Sequence, residues 1–105
     1  MTSKICNKLV RDEIPNIIIS KGEKPKTRIL SDEQFITELN KKLQEEVAEY
    51  LADESMAELA DVLEVVHGIL FAKGKTFGEL EKIRREKKNE RGGFEKRIFL
   101  ESIDA

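Results

Sequence analysis

The sequence predicts an all-α protein, a small helical bundle with a minor short β element near the termini. Three observations carry this. Ser31, Ser55 and Thr76 are each followed three residues later by Gln34, Glu58 and Glu79, the pattern in which a hydroxyl and an acid or amide close a helix start. Behind the first of them, Phe35, Ile36, Leu39, Leu43, Val47 and Tyr50 recur at helical spacing. Gly22, Gly74 and the pair Gly92-Gly93 stand where the helical patterns run out.

In chain order, Asp12 is placed to cap a short helix that has Pro15 in its first turn and stops at Gly22. Residues 26–30 read as a short extended segment. Ser31 opens a long helix that runs to about Ala52. Ser55 opens the next, which Gly74 ends, and its apolar circumference beyond Val62 marks it as the central one. Thr76 opens the last helix, stopped by Gly92-Gly93. In residues 94–103, Ile98 and Leu100 alternate with Arg97, Phe99 and Glu101, the period of a strand that could pair with residues 26–30.

Residues 1–105 are the size of one domain, small for a self-sufficient enzyme, so a core or site completed by a second subunit fits the length. Apolar residues at 39% and charged residues at 38% suit a soluble globular protein rich in exposed helix. A formal charge of −2 gives no electrostatic case for nucleic-acid binding. The lone cysteine, Cys6, excludes an internal disulfide. The start of the chain lacks a secretory apolar run, and residues 62–72 are about half of the ~20 residues that a bilayer requires. A cytoplasmic protein without a membrane partner is the expectation.

The chemistry is concentrated in two acidic tetrads, Glu46-Val47-Ala48-Glu49 and Glu58-Leu59-Ala60-Asp61, separated by eight residues. Carboxylates three apart share one side of a helix. Ala52-Asp53-Glu54-Ser55 is a plausible tight turn, from which Glu49 and Glu58 are equally distant, as are Glu46 and Asp61. A hairpin would therefore bring four carboxylates together at two levels, ~4.5 Å apart at ~1.5 Å rise per residue. At 100° per residue, Glu46 and Glu58 fall inside the apolar arcs of their helices, a costly place for an acid that is neither paired nor metal-bound. Hard oxygen donors in that number suit Mg²⁺, with Mn²⁺ as a substitute. The plainer reading makes Glu58 the capping partner of Ser55 and pairs Glu45 and Glu46 with Lys41 and Lys42 on a solvated face.

Two basic clusters accompany the acids. Lys8-Leu9-Val10-Arg11-Asp12 lies near the start; Lys88 and Arg91 share a helix side beside Gly92-Gly93, where backbone amides can approach an anion. His67 has no second histidine or cysteine at ligand spacing, so a zinc site is not expected. No phosphate-binding glycine loop of the P-loop or dinucleotide type is present.

With these residues in view, the chain resembles the MazG-like, all-α nucleotide pyrophosphohydrolase superfamily, which includes phosphoribosyl-ATP pyrophosphohydrolases and the all-α dimeric dUTPases. The resemblance rests on the two tetrads, on residues 7–15 (Asn-Lys-Leu-Val-Arg-Asp-Glu-Ile-Pro) and on residues 88–94 (Lys-Asn-Glu-Arg-Gly-Gly-Phe). It implies that Glu46, Glu49, Glu58 and Asp61 ligate Mg²⁺, and that Glu45 is a second-metal ligand or general base. It implies that Lys8, Arg11, Lys88 and Arg91 contact phosphates, and that the chain forms a homodimer or dimer of dimers. The implied reaction hydrolyses the α–β phosphoanhydride of a nucleoside triphosphate, giving the monophosphate and pyrophosphate. Dedicated phosphoribosyl-ATP enzymes carry a Tyr-His pair after the second motif's aspartate, where this chain has Glu64 and Val65. Phosphoribosyl-ATP hydrolysis is accordingly the alternative activity, and a non-catalytic oligomeric helical module the alternative of another class.

Overall fold

A computed structural model describes residues 3–104. It contains four helices: α1 (Ile14–Ser20), α2 (Asp32–Asp53), α3 (Met56–Ala72) and α4 (Phe77–Arg91). The chain divides into two compact units, residues 1–74 holding α1 to α3 and residues 75–105 holding α4.

In the first unit, α2 and α3 form an antiparallel hairpin. The Ser31 hydroxyl accepts from the Gln34 amide, and the Gln34 side chain accepts in return from the Ser31 amide, completing the capping box. At α3 only half of that exchange is made. The Ser55 hydroxyl accepts from the Glu58 amide, but the Glu58 carboxylate does not return the bond. That carboxylate is directed elsewhere, which matters below.

The turn between the helices is two residues long. Glu54 caps α2 in the left-handed region at φ 55°, and Ser55 caps α3. Few residues other than glycine, asparagine and aspartate adopt that conformation without strain. A turn this short leaves the two helices no freedom of register.

The hydrophobic core of the hairpin is small. Leu39 and Val65, 5% and 7% exposed, are its buried apolar side chains. Gly68 of α3 lets α2 approach closely, since a Cβ there would lie 2.9 Å from a methyl of Leu39. Phe35 and Phe71 meet edge to face at 6.5 Å between ring centres. The expectation of a central helix from Ser55 is met on one side only. Leu59, Leu63 and Phe71 are 44%, 49% and 78% exposed, so α2 leaves much of the apolar circumference of α3 uncovered.

Two local expectations are corrected. Asp12 does not cap α1. Glu13 occupies the cap position, its carboxylate accepting from the Asn16 side chain at 2.9 Å rather than from a backbone amide of the helix, although Pro15 does lie in the first turn. The β element is also absent: among the described residues there is no strand. Residues 94–97 close a turn, with the Arg97 amide donating to the Phe94 carbonyl at 3.0 Å and Arg97 at φ 57°. Beyond it Ile98, Phe99 and Leu100 are all exposed. Alternation makes a strand only when one face has a core to cover, and a lone two-stranded ribbon is marginal in water.

In the second unit, α4 opens with a complete capping box between Thr76 and Glu79 and ends at Gly92, φ 87°. Glu81 pairs with Arg84, Nε to Oε2 at 2.8 Å, and with Arg85 at 3.3 Å. Those guanidiniums, Arg84 first, hold the Glu81 carboxyl down at about 2. No helix among the described residues is long and apolar enough to cross a membrane.

Candidate metal centre

The hairpin turn brings the acids of α2 and α3 together as two overlapping groups. Oxygens of Glu46, Glu58 and Asp61 lie within 4.8 Å of one another, and so do oxygens of Glu45, Glu46 and Glu49. Glu46 is common to both. It is 7% exposed, a carboxylate at the level of the hydrophobic core. One of its oxygens, Oε1, faces the Lys42 ammonium at 3.4 Å, while Oε2 is buried with no hydrogen-bond partner. Oε2 of Glu58 is buried and unpartnered too, the consequence of the unreturned capping bond.

Burial pushes the Glu46 carboxyl above its ordinary value of 4.5, and Glu49 beside it pushes the same way through a hydrogen bond and through its charge. Lys42 opposes the shift. A raised carboxyl is the signature of too much negative charge in too little water.

Two cations of the chain answer the acids in different ways. Lys42 sits on the same helix, one turn before Glu45 and Glu46, at 3.6 and 3.4 Å from their oxygens. Its side chain is 20% exposed. Arg11 arrives from far away in sequence and donates from Nη2 to Asp61 Oδ1 at 2.7 Å. That pair is open to solvent, with side chains 57% and 40% exposed, the class of ion pair that contributes about 0–1 kcal/mol. Five carboxylates against these two cations leave a surplus of negative charge.

The donor set fits a hard divalent cation. All the candidate ligands are carboxylate oxygens, two have a buried oxygen with nothing to bond, and the electrostatics favour added positive charge. Glu46, Glu58 and Asp61 are the group that draws on both helices, with Glu49 reaching it through Glu46.

The other residues singled out from the sequence are placed as follows. Glu45 belongs to the second group, with its side chain 43% exposed and its charge facing Lys42. Lys8 is exposed in the segment that carries Arg11. Lys88 and Arg91 are exposed in the last turn of α4, in the second unit, where they also oppose the helix dipole. Lys41 turns to Glu38 at 3.0 Å and takes no part.

Two features escaped the sequence reading. Lys42 is a half-buried member of the acid cluster rather than part of a solvated face; its spacing to Glu45 and Glu46 was visible, its burial was not. The partnership of Arg11 with Asp61 spans 50 positions and leaves no local signal. A shallow hollow lined by Arg28, Leu30, Glu33, Gln34, Thr37 and Glu38 lies toward the start of α2 and includes none of the five acids.

No protein-family model matches the chain, and no solved structure matches it. Over 44 residues it is 50% identical to a protein of Mycolicibacterium smegmatis described as an uncharacterized protein. The match takes in 42% of this chain and 45% of that one, so the chain spans about half the length of the curated relative it matches.

Proposed function

We propose that the chain is a Mg²⁺-dependent nucleoside triphosphate pyrophosphohydrolase of the MazG-like type. The observation that carries the reading is that Glu46 and Glu58 each keep a buried, unpartnered oxygen while their carboxylates, with that of Asp61, come within 4.8 Å of one another across a two-residue turn. Acids held in an apolar hairpin at this cost to stability point to a site rather than to a solvated surface.

Glu46, Glu49, Glu58 and Asp61 hold Mg²⁺, with Mn²⁺ able to replace it. When bound, the ion neutralises phosphate charge and lowers the pKa of water at the site. Glu45 is the residue that takes the proton from the attacking water, because its carboxylate is solvent-accessible beside the cluster. The Lys42 ammonium keeps Glu45 and Glu46 oriented. Arg11 and Lys8, in the unit that carries the acids, donate to the phosphates of the nucleotide. The products are a nucleoside monophosphate and pyrophosphate.

The uncovered face of α3, with Leu59, Leu63 and Phe71, supports assembly as a homodimer or dimer of dimers in the cytoplasm. A nucleotide, rather than a nucleic acid or membrane, is the partner.

Pyrophosphate release from a panel of ribo- and deoxyribonucleoside triphosphates plus phosphoribosyl-ATP, with and without Mg²⁺, tests the reading. Cleavage of one or more triphosphates that needs the metal and is lost in Glu46→Gln and Asp61→Asn is expected. Phosphoribosyl-ATP as the sole good substrate would move the activity to histidine biosynthesis. No cleavage of any compound would leave a non-catalytic module.

A further inference from the structure

We infer that Arg11 is a resident cation that a divalent metal displaces from Asp61, and that its release is what readies the guanidinium for the substrate's phosphates, so that metal binds before nucleotide. The inference rests on reading the acidic cluster as a metal site and adds an order of events to it.

The same carboxylate is claimed twice. Asp61 shares the group of oxygens within 4.8 Å with Glu46 and Glu58, and its Oδ1 receives Arg11 at 2.7 Å. Arg11 pairs with Asp61, whereas a metal ion in that group would also draw on the carboxylates of Glu46 and Glu58, each of which keeps a buried oxygen unpartnered. A doubly charged ion with three or more oxygen ligands outcompetes a singly charged, solvent-exposed guanidinium for that place.

The backbone is arranged for the exchange. The carbonyl of Arg11 accepts from the Ile14 amide at 3.1 Å, which ties it to the start of α1, and Leu9 and Val10 just before it are half-buried. The main chain therefore holds its place while the exposed side chain swings. Lys42 differs in this respect, being held by Glu45 and Glu46 on its own helix with its ammonium half-buried. Lys42 is the fixed counter-ion and Arg11 the exchangeable one. Once freed, the planar guanidinium fork suits two phosphate oxygens at a time.

The test is calorimetric titration of the full chain and its Arg11→Gln, Arg11→Lys and Lys21→Gln variants with Mn²⁺, then with pyrophosphate. Arg11→Gln should bind Mn²⁺ about two- to fivefold tighter than the wild type, with Arg11→Lys in between and Lys21→Gln unchanged. Magnesium pyrophosphate should bind the metal-saturated Arg11→Gln protein about tenfold or more weakly than the wild type. The sodium salt should bind metal-free wild type no better than Arg11→Gln. Tryptic cleavage after Arg11 should accelerate when Mg²⁺ is added to the wild type and not when it is added to Glu46→Gln.

Metal affinity in Arg11→Gln equal to or weaker than that of the wild type overturns the exchange. Equal tightening in Lys21→Gln also overturns it, because the effect would then be general charge. Absence of metal binding to the wild type removes the metal site itself and the inference with it. Metal and pyrophosphate results as expected, without cleavage of any nucleotide, would uphold the exchange while refuting the pyrophosphohydrolase reading.

Discussion

Replacing Glu46 with glutamine should stabilise the metal-free protein and abolish its response to Mg²⁺, so that adding the ion reverses the order of the two melting temperatures. Glu46 holds a carboxylate, 7% exposed, with one oxygen unpartnered and Glu49 adjacent. A buried acceptor without a partner costs about 1–3 kcal/mol, more if charged. The amide keeps an oxygen for Lys42 and supplies donors for neighbouring carboxylates, so most of that cost is relieved, offset by a weaker bond to Lys42. The net gain is about 1–2 kcal/mol at pH 7, a rise of about 5–10 °C for a domain of this size. The pH dependence has a definite sign. Because the folded carboxyl is raised, the stability it lends is fully present below 4.5 and is lost as pH rises through the folded value. The advantage of glutamine should therefore be small in acid and grow toward neutrality. With Mg²⁺ at a hundredfold excess over its dissociation constant, the wild type gains about 2.7 kcal/mol and the variant almost nothing. Differential scanning calorimetry at pH 4 and pH 7, with and without Mg²⁺, reads all four states. A variant that melts below the wild type without metal at pH 7, or that gains as much as the wild type from Mg²⁺, would refute the reasoning.

Three further outcomes are expected. Glu54→Gly relieves the left-handed strain at the hairpin turn, about 1–2 kcal/mol against about 0.5–1 kcal/mol of added chain entropy. Its urea midpoint should therefore rise slightly, and a fall would show that the Glu54 side chain has an unrecognised role. Leu39→Ala removes one of the two buried apolar side chains among the described residues and should cost about 2–4 kcal/mol. Circular dichroism at 25 °C should show lost helix, and an unchanged melting curve would mean that the hairpin core lies elsewhere. Glu81 keeps its charge down to about 2, so the pairing it gives α4 is complete above the ordinary carboxyl value and lost as pH falls toward 2. Its side-chain carboxyl resonance, followed by NMR, should titrate well below those of the exposed acids, and a midpoint near 4.5 would exclude the Arg84 pairing in solution.

The parts of this fold that could be read from the sequence were those fixed by neighbours in the chain. Ser31 with Gln34 and Thr76 with Glu79 are three-residue signals, and each formed the box it spelled out. Glu46 could be placed inside an apolar arc because helical phase is itself local. The failures share the opposite property. Residues 94–103 alternate correctly for a strand, but a strand depends on a partner and a core, which alternation cannot supply. The burial of Lys42 and the reach of Arg11 to Asp61 depend on how segments fold back, and charge spacing along one helix says nothing about that. Ser55 with Glu58 lies between the two cases: the spacing secured the start of α3, while the carboxylate went to the cluster instead of the cap.

The two-residue turn at Glu54 and Ser55 also makes the hairpin a ruler with its zero at the bend. Each residue added to α2 or α3 between the bend and the acids would shift the acids beyond it by ~1.5 Å and rotate them by ~100°, carrying Glu58 and Asp61 out of line with Glu46. The same insertion before Ser31 would leave the alignment of the acids untouched. The stretch from Glu46 to Asp61 is therefore the part of the chain least tolerant of a change in length, and it includes the smallest loop, where freedom to change is usually greatest.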